Sequence, residues 1–208
     1  AYPLIKLGFD EFGITTEMTG SKMLFAGIRF AISGFIILTI ARSANRQFAV
    51  KAPINWLYIL IFALMNTTLH YACFYIGLSH SEGARAAILN SLGTFMLVLL
   101  ACVFFKSDKL TSRKLIGCII GFIGILTLNI GSGSSGDFTL MGDGMIILNA
   151  LCSAFAGLMT RGLGRRVDIF VGTGYSLAIG GLLLIIPGLA LGGTLPLITT
   201  QGLIILGL

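Results

Sequence analysis

The chain has 208 residues, 56% of them hydrophobic and 11% charged, with a formal net charge of +6. Apolar runs near the roughly 20 residues that cross about 30 Å of hydrocarbon recur along it, which excludes a soluble domain. The positive charge does not indicate nucleic acid, because Lys and Arg fall in short groups between apolar runs rather than on one face or tail.

In chain order, helices are expected at about 1–9 (the tail of a span), 21–41, 53–77, 83–105, 113–130, 143–162, 170–191 and 201–208 (the start of another). AYPLIKLGF opens without Met and is too short to cross, and GLIILGL stops far short of a crossing, so the expectation is a fragment of a longer protein, truncated at both ends. Pro53 suits the first turn of its helix, where no donor is needed. LSHSEG, FKSDKLTS, NIGSGSSGDF and GGTLP read as the turn-rich connections. Cys73, Cys102, Cys118 and Cys152 fall in different apolar runs without metal-ligand spacing and read as small packing residues.

Alternating spans place Arg42, Arg46, Lys51, Lys106, Lys109, Arg113, Lys114, Arg161, Arg165 and Arg166 on one side, which the positive-inside rule makes cytoplasmic. The other side carries Asp10, Glu11, Glu17, Glu82, Asp137 and Asp143, with Lys22 and Arg85 as its chief cations. Two stretches, GIRFAISGFIILTIA (27–41) and GYSLAIGGLLLIIPG (174–188), look like copies of one helix. Their alignment pairs Gly27 with Gly174, Ala31 with Ala178, Ile32 with Ile179 and Gly34 with Gly181. The first copy is followed by Arg42, Arg46 and Lys51, and the second is preceded by Arg161, Arg165 and Arg166. The copies are therefore expected to cross in opposite directions, as inverted repeats do in secondary transporters.

The order of residues resembles the EamA-type drug/metabolite transporter family. The likeness is carried by YPLIKLGF at the end of the first span, AGIRFAISGFIIL in the second, and FYIGLSHSEGARAAILNSLGTFMLVLLACVFFKSDKLTSRKLIGCIIGFIGILTLNIG across the third to fifth. GDGMIILNALCSAFAGLMTRGLGRR begins the pattern again, so the resemblance covers essentially the whole chain. It implies an all-α polytopic membrane protein of two inverted five-helix repeats in a ten-span parent. Residues 1–131 would form the first EamA-like repeat and 132–208 an incomplete second. Two positions depart from the family's pattern: Gly93 stands where a proline is common, leaving a flexible point there as an expectation, and Asp108 stands where Glu is usual.

Arg29 sits about two turns into its span, where a cation is costly unless it has a partner or an aqueous cavity. It reads either as an attractor for a solute's carboxylate or phosphate, or as a structural cation. Polar groups recur at helical spacing in three spans: Asn66, Thr67, His70 and Tyr71; Ala87, Asn90, Ser91 and Thr94; Asn149, Ser153, Ala156 and Thr160. Such stripes avoid lipid and either line a solute cavity or bond helix to helix. Tyr71, Tyr75 and Tyr175 can stack on a solute or anchor the helices. The residues expected to bind substrate are Arg29, Asn66, Tyr71, Asn90, Ser91, Thr94, Ser153 and Tyr175. Gly117, Gly121 and Gly124 form a small-residue stripe expected to pack against another helix.

The function expected is transport, by export or exchange, of a small polar metabolite such as an amino acid. It would run by alternating access in the bacterial plasma membrane. Lipid and solute are the expected partners, a homodimer is compatible with the sequence, and no cofactor, metal or nucleic acid is expected. The alternatives are a membrane-embedded enzyme, for which no H-E-x-x-H, paired intramembrane Asp or G-x-S-x-G is present, and a nonfunctional truncated fragment.

Overall fold

Lipid offers the backbone no hydrogen-bond partner, so apolar runs of this length close their N–H and C=O groups internally as helices. The computed structural model describes residues 14, 18–46, 48, 50, 52–81, 83–105, 110–129 and 138–194. It contains α1 (Thr19–Ser43), α2 (Pro53–His80), α3 (Gly83–Phe104), α4 (Ser112–Asn129), α5 (Leu140–Leu163) and α6 (Ile169–Ala190). These follow the expected spans closely; the partial spans at 1–9 and 201–208 lie outside the described residues. Five helices (α1, α2, α5, α6 and the Arg85–Phe104 stretch of α3) are long and apolar enough to cross a membrane. No strand occurs among the described residues. The chain is an all-helical, polytopic membrane protein.

Local signals set the helix ends. Pro53 occupies the first turn of α2. Asp168 caps α6, its Oδ1 accepting from the N–H groups of Phe170 at 2.9 Å and Val171 at 3.4 Å. Helix α1 ends in a Schellman motif: Asn45 is left-handed at φ 52°, its N–H donates to Arg42 O, and Arg46 N–H reaches back to Ala41 O. Helix α6 ends the same way, with Gly192 at φ 71°, its N–H on Leu189 O, and Gly193 N–H on Gly188 O. In the alignment of the two copies, Asn45 stands opposite Gly192 and Ala41 opposite Gly188.

The two similar helices pack directly on each other, and glycine is what allows it. A Cβ on Gly27 would stand 2.8 Å from Gly181 O, one on Gly34 2.8 Å from Gly174 O, and one on Gly20 2.8 Å from Gly188 O. Partners in α6 fall in number as those in α1 rise, so the helices run antiparallel. The contact set is also self-complementary: exchanging each residue for its aligned counterpart turns the Gly27–Gly181 contact into Gly174–Gly34, which is present. Both ends of the seam are latched. Arg46 pairs with Asp168 at 3.5 Å, and at the far end Thr194 N–H donates to Ser21 Oγ, the residue aligned with Asp168, at 3.1 Å.

Helix α2 lies against this pair and α5. Ile59 and Phe62 pack with Ala156, Leu163 and Val167, while Tyr75 packs with Met23, Ala26 and Leu184. Helix α3 leans on α5, and α4 touches α3 through Phe95 and Phe122, ring centroids 5.6 Å apart. Cations gather at one end, where Arg46, Arg161 and Arg166 each lie over an aromatic ring (Phe170, Phe105 and Tyr58) at 4.8–5.1 Å. Gly93 does not interrupt α3, which continues through it; the missing Cβ admits Ala150, whose O would stand 3.0 Å from one. Gly117 and Gly124 have nothing within 4 Å of a Cβ among the described residues, and only Gly121 meets a neighbour, Phe95 at 3.5 Å.

Glycine substitutions should therefore divide by position. Gly34→Ala drives a methyl into the Ala178 backbone and is expected to cost about 1–3 kcal/mol, lowering the temperature at which the detergent-solubilised protein loses its monodisperse state. Gly117→Ala meets open space and should be neutral or raise that temperature slightly through helix propensity. Equal effects of the two would contradict the packed seam.

Candidate functional site

Helix α2 is π-wound over Leu64–Leu69, the LMNTTL stretch in the middle of the span. A π turn widens the helix and weakens its backbone geometry, and it is common at functional sites. The wide turn is clamped from α6: Thr68 Oγ1 donates to Gly180 O at 3.1 Å, and a Cβ on Gly180 would stand 2.6 Å from Thr67 Cβ. Beyond it, Tyr71 stacks with Phe30 of α1 at 4.4 Å and meets His70 edge-on at 4.7 Å.

Next to the π turn, three helices exchange polar contacts at mid-depth. Asn149 of α5 is fully buried, and its Nδ2 donates to Asn90 Oδ1 of α3 at 2.6 Å. His70 Nδ1 lies 3.4 Å from the Asn149 backbone O, a donor geometry when Nδ1 carries the proton. The Asn149 Oδ1 is enclosed and accepts no hydrogen bond among the described residues; nor do the buried hydroxyls of Thr67 and Ser176 find a partner. An enclosed acceptor left unpaired costs about 1–3 kcal/mol, so this site holds capacity for a donor.

Helices α2 and α3 both pack on α5 but scarcely on each other. Thr94 and Ser153, one turn on from Asn90 and Asn149, are exposed. Ser91 is half-buried and donates to Ile88 O at 2.6 Å within its own helix. Asn66 is half-buried in the π turn. Of the residues expected to bind substrate, the structure brings Asn90 onto Asn149, while Tyr71 turns toward Phe30 of α1. Thr94 and Ser153 share the helices of that pair, and Asn66 and Ser91 are not drawn to it by any hydrogen bond among the described residues. Arg29 and Tyr175 stand apart. Arg29 follows Gly27 by two residues, about 200° around the helix, so it points away from the α6 seam. It is half-buried and makes no hydrogen bond or ion pair among the described residues. Tyr175 belongs to an aromatic group at the cation-rich end, with Trp56 at 4.9 Å and Phe48 at 6.4 Å.

Two features go beyond the residues picked out from sequence. The first is Asn149 itself, visible as part of a stripe but not separable there from its exposed neighbours. The second is a polar knot at the other end of the bundle. Asp143, 1% exposed, accepts from Ser81 Oγ at 2.7 Å, Arg85 Nη1 at 3.1 Å and Thr139 N at 3.1 Å. It ties the end of α2 and the start of α3 to the start of α5. Its sequence signal is Arg85, a cation on the acid-bearing side. Removing the acceptor leaves a three-quarters buried guanidinium without it, and Asp143→Ala is expected to cost about 1–3 kcal/mol. Asp143→Asn, which retains an acceptor for Ser81 and Thr139, should cost less. Thermal denaturation in detergent orders the two, and the reverse order would show that the knot does not bear on stability.

Polar groups that meet inside a helical membrane bundle, beside a π-wound turn, are a pattern shared with membrane transport proteins. The chain belongs to the EamA-like transporter family, which matches residues 13–130, and is a multi-pass protein of the cell membrane. It is 28% identical to the uncharacterized transporter YvbV of Bacillus subtilis (strain 168) over 168 residues, 80% of this chain and 53% of that protein. The uncharacterized transporter YetK of the same organism is 24% identical over 70% of this chain and 44% of its own length. An uncharacterized transporter in the sor 3'region of Acidianus ambivalens is 28% identical over 62% of this chain and 46% of its own length. The chain spans about half the length of these relatives. No solved structure matches it significantly.

Proposed function

We propose that the protein carries a small polar solute across the membrane by alternating access, with the solute held between α2 and α3 against the Asn90–Asn149 junction. One observation carries the reading: a fully buried carboxamide at mid-depth bonds the neighbouring helix through its nitrogen and keeps its oxygen unpaired. In hydrocarbon that arrangement is costly, and when the Asn90–Asn149 junction opens in the transport cycle a solute's N–H or O–H reaches the oxygen and relieves the cost. Hydroxyl and amide walls suit a polar metabolite, and amino acids have both the donors for Asn149 and a carboxylate for Arg29. Names of relatives that say "transporter" support the activity.

Alternating access needs two halves that exchange roles. The inverted repeat is supported by the self-complementary α1–α6 seam and by Schellman motifs at aligned positions of the two copies. Taking 1–131 as one repeat is supported by the family match at 13–130. The second repeat, from 132 onward, would meet the first along the seam, and rocking about that seam would expose the junction to either side.

In proteoliposomes, Asn149→Leu is expected to reduce uptake of a transported amino acid at least about tenfold, the loss of one or two buried hydrogen bonds, with membrane insertion unchanged. Arg29→Ala should raise the half-saturating concentration of carboxylated solutes more than that of neutral ones. A metabolite mixture that shows no uptake by the wild type, or wild-type uptake by Asn149→Leu, would overturn the site.

Sidedness can be read independently. Single cysteines at Ser43 and Gly164, in a background without the native four, should react with an impermeant maleimide from one compartment. Cysteines at Ser81 and Gly192 should react from the other. Reaction of Ser43 and Gly164 from opposite sides would end the inverted arrangement.

A further inference from the structure

A concavity lies apart from the Asn90–Asn149 junction, at the cation-rich end between α3, α5 and the first turn of α4. It holds about 300 Å³. Leu97, Val98, Ala101 and Gly157 form its walls, and Lys114 and Arg161 stand at its mouth. Ala101 is one turn beyond Leu97, and Arg161 is one turn beyond Gly157. The lining therefore passes from apolar in the depth of the bilayer to cationic at its boundary. The guanidinium of Arg161 lies over the Phe105 ring, 5.0 Å from its centroid. Arg113, exposed beside Lys114 at the start of α4, adds a further cation at this end. Val103 and Phe104 are exposed beside it, as are Leu115 and Ile116 of α4, so the concavity is flanked by surface that faces lipid.

We propose that this groove binds one anionic phospholipid, its phosphate held between Lys114 and Arg161 and an acyl chain laid along Leu97, Val98 and Ala101. A zwitterionic headgroup brings its own cation to the same place and loses the advantage, so the groove selects by charge. Because α4 packs on α3, where the rings of Phe95 and Phe122 meet, a lipid bridging Lys114 to Arg161 would also fasten α4 to α5.

Native mass spectrometry of the full chain tests this. The protein is released from micelles doped with equal amounts of dioleoyl phosphatidylglycerol and dioleoyl phosphatidylcholine. Wild type should retain one phosphatidylglycerol in preference to phosphatidylcholine by at least about tenfold, two cations each contributing. Lys114→Gln with Arg161→Gln should bring the ratio near one. Val98→Phe, which fills the groove and leaves both cations, should lower retention of either lipid. Millimolar glycerol 3-phosphate should leave the retained lipid in place. Equal retention of the two lipids by wild type overturns the proposal, as does a wild-type ratio in both variants. Displacement by glycerol 3-phosphate overturns it too, assigning the cations to a free phosphate ester. Should the double variant fail to fold, Val98→Phe and the competition on wild type decide between these outcomes.

Discussion

Helices surrounded by hydrocarbon gain nothing hydrophobic by associating, so α1 and α6 are held by close dispersion contact, and that contact exists because Gly20, Gly27 and Gly34 meet Gly188, Gly181 and Gly174 without side chains between them. The remaining helices take their positions from this pair. Helix α2 is pinned to α6 by Thr68 on Gly180 O and to α1 by Tyr75 against Met23 and Ala26. Helix α5 then packs on α2 through Ala156 and Leu163, and α3 follows α5. Helices α2 and α3 thus meet α5 while scarcely meeting each other.

Polar chemistry inside such a bundle is constrained by what it displaces. Each enclosed amide or hydroxyl needs a partner, and at Asn90–Asn149 one hydrogen bond joins the two carboxamides while the Asn149 Oδ1 finds none among the described residues. At Asp143 a hydroxyl, a guanidinium and a backbone N–H converge on one carboxylate. The first arrangement leaves an acceptor unpaired, whereas the second fastens three helix ends.

Much of the fold was legible in the sequence because spanning length and charge placement are written residue by residue. The helices fall where apolar runs of sufficient length predict them, and Arg46, Arg161 and Arg166 lie at one end. Gly27, Gly34, Gly174 and Gly181 were visible as matching positions of two copies. That they face each other was not visible, since contact between distant segments leaves no local trace. The small-residue stripe of α4 shows the converse: spacing permits close approach but supplies no partner, and Gly117 and Gly124 meet none among the described residues. Within the site, helical period placed Asn149 and Ser153 on one face, yet packing buries one and exposes the other. The π turn gave no signal, because LMNTTL contains no Gly or Pro to interrupt the helical run.

That wide turn bears on how the span tolerates changes of length. A π segment accommodates one more residue per turn than the α form, so removing a residue from within Leu64–Leu69 would tighten the coil locally and leave Ile59 below it and Tyr75 above it in register with their present neighbours. Removal anywhere else in α2 would swing everything downstream by about 100° and strip Tyr75 from Met23 and Leu184. The span therefore carries its own slack, stored beside the polar junction.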